Sequence, residues 1–232
     1  HYLRGHIYNG LHGRALPPAT AIKAVNPALT VIAESGDGDM YGEGGNHFIH
    51  AIRRNPDIVN IVHDNMIYGL TKGQASPTTM EGMKTTTQPE GVIVHPINPI
   101  ATALSLGAGF VARTFSKDME LTKDMIKEAI EFKGYALVDI FQPCVSFNKL
   151  NTFEWFEENT YKIGSDHDRE DLSSAFELAL KSDSLPLGIF YKNDERESFH
   201  ERLEAYGDSD KPLWKRDLNR KDLLKKEMEN LV

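Results

Sequence analysis

The sequence predicts an α/β fold with a mostly parallel sheet and helices on both faces, on three observations. Short β-branched apolar runs alternate with amphipathic helical stretches, the pattern of strands joined by crossover helices. The first two runs end in residues that carry hard oxygen atoms: Gly36-Asp37-Gly38-Asp39 follows residues 29–33, and Asn65 stands 28 positions after Asp37, just past the second run. Finally, a chain of 232 residues that is 40% hydrophobic and 26% charged can close one sizeable core.

The elements follow in order. Pro17 and Pro18 open a helix that runs to Val25, because proline is tolerated in a first helical turn, and Asn26-Pro27 ends it. Residues 29–33 are the first strand. Residues 46–54 place Phe48, Ile49 and Ile52 on one helical face, and Pro56 closes that segment. Residues 58–62 are the second strand. From 68 to 91 the chain is rich in Gly, Thr, Ser, Gln and Pro with no period, a long loop of the kind that is functional or mobile. Asn98-Pro99 caps a helix over 100–106, and 110–112 is a short strand. Ser116 or Asp118 caps a helix whose apolar face is Leu121, Met125, Ile126, Ala129 and Ile130, with Gly134 at its end. Residues 136–141 form a buried strand ending in Gln142-Pro143-Cys144. An amphipathic helix over 171–181 and a last strand over 187–191 complete a domain of residues 1–192. The charged segment 193–232 reads as a helical tail or a partner-docking segment.

Composition narrows the function. A formal net charge of −8 argues against binding a nucleic-acid backbone, and no apolar run approaches the roughly 18 to 20 residues of a membrane span. One cysteine, Cys144, excludes an internal disulfide framework and fits a reducing, cytoplasmic compartment. The start on His1-Tyr2-Leu3-Arg4, without methionine or leader, reads as an amino-terminal trimming.

The edge formed by Asp37 and Asn65 suits Mg2+, which takes one or two carboxylates and completes its shell with carbonyls, water and substrate phosphates. Gly36 and Gly38 leave room for a phosphate to approach backbone N–H groups. Open α/β sheets bind ligands outside the carboxyl ends of their strands. A Gly-Asp-Gly triplet alone is equally an ordinary tight turn. His47, His50 and His63 lack the spacing of a zinc site and read as surface or supporting residues.

Together, His12-Gly13-Arg14-Ala15, Gly36-Asp37-Gly38-Asp39, Gly44-Gly45-Asn46-His47, the stretch from Asp64-Asn65-Met66-Ile67-Tyr68-Gly69-Leu70 through Thr71-Lys72-Gly73-Gln74, and Gln142-Pro143-Cys144 resemble one family. It is the beta subunit of 2-oxoacid:ferredoxin oxidoreductases, and the likeness runs from residue 1 to about 192. The resemblance implies the thiamine-diphosphate-binding fold, with Asp37, Asn65 and the carbonyl of Ile67 holding Mg2+. It implies further that His12, Gly38, Asp39, Gly69 and Leu70 line thiamine diphosphate; His12 also reads as a histidine bonded to local backbone. Lys72 and Gln74 read equally as substrate or partner contacts and as solvated loop residues.

Cys144 alone is an inert small hydrophobe. The resemblance makes it the fourth ligand of a [4Fe–4S] cluster whose other cysteines belong to an amino-terminal segment, so the chain is either trimmed or clusterless. The same resemblance implies oxidative decarboxylation of a 2-oxo acid, with coenzyme A taking the acyl group and ferredoxin the electrons. An alpha subunit, with or without gamma and delta subunits, would supply the activating glutamate, leaving no catalytic base in this chain. Two other readings stand beside it: a non-oxidative thiamine-diphosphate decarboxylase or synthase, and a non-catalytic scaffold subunit.

Overall fold

The computed structural model describes residues 5–181, 184–207, 211–215 and 220–230. The opening residues 1–4 and parts of the predicted tail lie outside them. Helices α1 (Leu16–Val25), α2 (Gly45–Arg54), α3 (Pro99–Ser105), α4 (Met119–Glu131), α5 (Phe153–Asn159), α6 (Leu172–Ala179) and α7 (Arg220–Glu229) alternate with strands β1 (Ile32–Gly36), β2 (Ile58–Asp64), β3 (Phe110–Phe115), β4 (Tyr135–Phe141), β5 (Thr160–Lys162) and β6 (Leu185–Lys192). The strands form one sheet in the order β1-β2-β4-β3-β6-β5.

From β1 to β3 all pairings are parallel, and the sheet turns antiparallel only where β6 meets β3. A strand period of two sends alternate residues to opposite faces, and the apolar side chains of β2 and β4 serve both. Ile58, Val62, Tyr135 and Leu137 pack with residues of α1, α2, α3 and α6. Val59, Ile61, Ala136, Val138 and Ile140 pack under α4 through Met125 and Ala129. A third cluster, Met66, Phe115, Phe141, Phe156 and Leu187, closes the carboxyl end of the sheet beneath α5. The expected α/β architecture, with helices on both faces, is the one found.

Local details depart from expectation in physically legible ways. The first strand begins three residues late, at Ile32, because the turn after α1 extends to Leu29, whose N–H bonds the Asn26 carbonyl at 3.2 Å. Of the two candidate caps for α4, Asp118 accepts from the Leu121 N–H at 3.1 Å and is the cap, whereas Ser116 is not. Asn98 caps α3 through the Ala101 N–H at 3.0 Å, as expected.

The amino-terminal edge of the sheet is fastened by the chain beyond β6. Asn55 ends α2 in the left-handed region (φ 56°), a conformation that asparagine tolerates. Its buried side chain donates to the Arg196 and Glu197 carbonyls, each at 3.1 Å, and accepts from the Tyr135 N–H at 2.9 Å. Arg196 in turn donates to the carbonyls of Ile52, Gly107 and Arg53, covering the exposed end of α2. Ser198 and Tyr206 are buried, and the Tyr206 hydroxyl bonds the Ala24 carbonyl of α1. Residues 193–207 are therefore a strap packed on the domain, and among the described residues of the charged segment the α-helix is α7, after a 3-10 turn at Leu213–Lys215.

Within this strap, hydrogen bonds from the Ser198 hydroxyl (2.7 Å) and N–H (2.8 Å) hold the Glu201 carboxyl below its ordinary value of 4.5. A carboxylate with a lowered folded pKa stabilises fully above its unfolded value, and that contribution is lost as pH falls through the lower folded value. The protection of amides around Ser198, taken relative to their intrinsic exchange rate, is expected to fall as pH drops below 4.5, and Glu201→Gln should flatten that dependence.

Candidate functional site

The order of strands brings the site together. Since β1, β2 and β4 are neighbours and parallel, the segments leaving their carboxyl ends, at Asp37, Asn65 and Gln142-Pro143-Cys144, emerge side by side. The Gln142 N–H closes this edge on the Asp64 carbonyl at 2.9 Å.

Asp37 begins a π-helical segment, Gly38–Glu43, and is 1% exposed. Such wide turns are rare and often occur at functional sites. One carboxylate oxygen accepts from the Thr78 hydroxyl at 2.6 Å; the other meets the Asn65 N–H at 3.5 Å, a long contact that leaves it coordination capacity. Burial pushes the Asp37 carboxyl up, against the Ser76 and Thr78 hydroxyls and the Asn65 and Gly38 N–H groups, which pull it down. The Asn65 side-chain oxygen accepts from the Ile67 N–H at 3.1 Å, and the Asn65 carbonyl accepts from Asn148 at 3.0 Å. The Asp37 carboxylate thus meets the turn that carries the Asn65 amide oxygen and Ile67, and oxygen donors of this kind suit a hard divalent cation.

His12 and Asp39 also meet. The His12 ring lies between the carboxylates of Asp39 (2.8 Å) and Glu43 (3.0 Å), and its side chain remains 56% exposed. The Asp39 oxygen takes the Gly13 N–H as well, at 2.8 Å. Gly13 has φ 71°, and a Cβ there would fall 2.7 Å from the Glu43 backbone, so this close junction requires glycine.

Gly38 is used differently from expectation. A Cβ on it would lie 2.1 Å from the Tyr68 ring, so in this structure the space above Gly38 holds Tyr68. The Tyr68 hydroxyl donates within reach of the Gly38 carbonyl and the Glu43 carboxylate, both at 3.0 Å, and burial together with Glu43 pushes that phenol well above its usual range. Gly38→Ala is expected to cost about 1–3 kcal/mol by overpacking. Paired with Tyr68→Ala, it should cost less than the sum of the single changes in a thermal-melting cycle.

The loop after β2 is ordered. Tyr68 and Gln74 form an isolated antiparallel bridge, and the Gln74 side chain folds back on Thr71. Gln74 is therefore engaged within its own loop, and Lys72, at φ 78°, sits exposed at its tip. Gly69 faces Cys144: a Cβ there would lie 3.4 Å from the sulfur. Leu70, 99% exposed, projects outward beside them. Of the histidines set aside as zinc ligands, His63 bonds Gln142 (2.5 Å) and Glu34 (2.8 Å).

Sequence reasoning missed the layer beneath. Thr78 also lies 2.9 Å from the Asp64 carboxylate, so one hydroxyl touches two buried acids. A single hydroxyl proton serves one of them at a time, and the same Asp64 oxygen also accepts from the Met66 N–H at 3.1 Å. Burial, then the Asp37 and Asp139 charges, push Asp64 well up. Asp139 accepts from Arg113 and from the Tyr41 hydroxyl, each at 2.9 Å, and the guanidinium stacks 4.6 Å from the Phe141 ring centre. A signal was present: a lone Asp inside the apolar run of β4 is a buried charge that needs a partner.

With this geometry in hand, comparison with known proteins is direct. Residues 1–140 match the family described as thiamine pyrophosphate enzyme, C-terminal TPP binding domain, and residues 144–208 match the carboxy-terminal family of the pyruvate ferredoxin oxidoreductase beta subunit. The chain is 45% identical over 207 residues to a Sulfolobus 2-oxoacid:ferredoxin oxidoreductase subunit beta, covering 84% of this chain and 68% of that one. It is 41% identical over 216 residues to subunit beta of 2-oxoacid:ferredoxin oxidoreductase 2 from Aeropyrum pernix, covering 88% and 70%. Among solved structures, the 2-oxoglutarate:ferredoxin oxidoreductase from Magnetococcus marinus with 2-oxoglutarate, coenzyme A and succinyl-CoA bound superposes with a TM-score of 0.85 at 35% identity, over 92% of this chain and 73% of that one.

Proposed function

Because this chain belongs to the beta subunits of the 2-oxoacid:ferredoxin oxidoreductases, we propose that it carries the thiamine-diphosphate site of an enzyme that converts a 2-oxo acid and coenzyme A to an acyl-CoA and CO2, with the electrons passed to ferredoxin. The observation that carries this reading is the convergence of Asp37, Asn65 and Ile67 at the carboxyl edge, inside the segment that matches a thiamine-pyrophosphate-binding family.

In this reading Asp37, Asn65 and the Ile67 carbonyl hold Mg2+, and the cation joins the protein to the diphosphate. Thiamine diphosphate, when bound, supplies the electron sink that lets a 2-oxo acid lose CO2. The chain supplies position. His12 is fixed by Asp39 and Glu43 beside the site, which supports a role lining the cofactor. Gly38, Asp39 and Gly69 line it with backbone, and Leu70 offers an apolar side chain to whatever covers the edge. Tyr68 has to leave the space over Gly38 wherever the diphosphate comes to lie there. The base that activates the cofactor is assigned to the alpha subunit of the complex, gamma and delta subunits completing it where they occur.

A [4Fe–4S] cluster takes four thiolates, and this chain carries one cysteine. The residues present do not fit a cluster by themselves, so Cys144 is proposed as one ligand only in company with thiolates from outside them. Among the described residues no helix is long and apolar enough to cross a membrane. A cytoplasmic location is proposed with that.

The test is calorimetric titration of the complete complex with thiamine diphosphate, with and without Mg2+, followed by coenzyme-A-dependent viologen reduction under a panel of 2-oxo acids. Metal-dependent binding with viologen reduction is expected. A folded complex that binds no cofactor would support the scaffold reading, and binding without viologen reduction the non-oxidative one.

A further inference from the structure

The one hydroxyl shared by two buried carboxylates has no part in the function proposed so far. Thr78 comes from the loop after β2, 41 positions from Asp37, and no local turn requires it to meet that residue. Its neighbours fix it: Ser76 lies 3.2 Å from its oxygen, and the adjacent Thr79 binds the Met66 carbonyl at 2.7 Å, tying the segment beneath the Asn65–Ile67 turn. Ser76, Thr78 and Thr79 are all buried. So many hydroxyls in one buried stretch of loop mark a built structure, since each buried polar group has to be bonded.

The geometry points to Thr78 as a positioning residue for the cation site. A carboxylate has two oxygens and free rotation about its last bond, and a cation site needs one of them aimed outward. Thr78 holds one Asp37 oxygen at 2.6 Å, the shorter of its two carboxylate contacts, which fixes the plane of the group. The other oxygen meets the Asn65 N–H at 3.5 Å, a long contact that leaves it coordination capacity. Without the hydroxyl, Asp37 would be an almost fully buried carboxylate missing its short bond and less firmly oriented. Residues that orient a metal ligand without touching the metal typically govern affinity by 10- to 100-fold. The inference rests on Asp37 being a cation ligand.

The test uses Mn2+ as probe, its binding to the complete complex in the presence of thiamine diphosphate followed by electron paramagnetic resonance. Thr78→Val keeps the shape and removes the hydroxyl, and is expected to weaken Mn2+ binding by about 10- to 100-fold. Thr78→Ser keeps the hydroxyl and loses the methyl, and should restore most of the affinity. Should the valine variant fail to fold, Thr78→Ala leaves room for water between the carboxylates and carries the same prediction. Unchanged Mn2+ affinity in the valine or alanine variant would overturn the role of Thr78 alone, as would equal weakening by valine and serine, which would mark packing of the methyl. Absence of metal-dependent cofactor binding in the unaltered complex would overturn the cation site itself.

Discussion

Asp37→Asn is expected to abolish Mg2+-dependent binding of thiamine diphosphate by the complete complex, raising the apparent Kd by at least about 100-fold, since residues one step removed from a metal already cost 10- to 100-fold. Asparagine keeps the size of the side chain and removes the charge that makes a hard-cation site. Because burial pushes the Asp37 carboxyl up, the neutral variant should fold at least as well as the parent. Isothermal titration beside thermal melting checks both halves. A variant that melts normally and binds cofactor with unchanged affinity would remove Asp37 from the site.

Asp139→Ala carries the largest expected loss of stability, about 3–5 kcal/mol, the usual consequence of removing one partner from a buried ion pair. The substitution leaves the Arg113 guanidinium, itself buried, without its carboxylate, and leaves the Tyr41 hydroxyl without its acceptor. Urea unfolding measures this as a lowered midpoint at unchanged slope. Asp139→Asn, which can still accept from Tyr41, should lose less. Equal losses in the two variants would show that the pairing is not what Asp139 contributes.

Much of this architecture is legible in the sequence, and the reasons for the gaps are physical. Strands β2, β4 and β6 fall within two residues of their expected positions because turn signals bound their apolar runs. Strand β5 leaves no such trace: three residues long at the sheet margin, it is defined by its pairing with β6 and not by a pattern of its own. Helix α5 is seven residues held by its Thr152 cap and by Phe156 in the core, too short for a period to emerge. The antiparallel turn of β6 is invisible in one dimension, since a buried strand reads alike in either direction. At the site, Asp37 and Asn65 stand out because each follows the carboxyl end of an apolar run, whereas His12 and Asp39 enter through the family resemblance. Thr78 does not, because its meaning lies in two distant carboxylates, and a threonine in a Thr-rich loop carries no mark of that. Tyr68 is hidden likewise: the glycine at 38 is visible, but what fills the space above it is not.

The acids beneath the site have a consequence for the chain as a polyelectrolyte. Asp37, Asp64 and Asp139 lie within electrostatic reach of one another in a low-dielectric interior, with Arg113 paired to Asp139 among them. Self-repulsion of that kind opposes compaction, and a divalent cation at Asp37 would offset it from the outer end. In linkage terms an ion that bound the native state and not the unfolded chain would stabilise the fold as well as serve any reaction. The same buried charge that prepares the edge for chemistry would then make the integrity of the edge depend on the ion concentration around it.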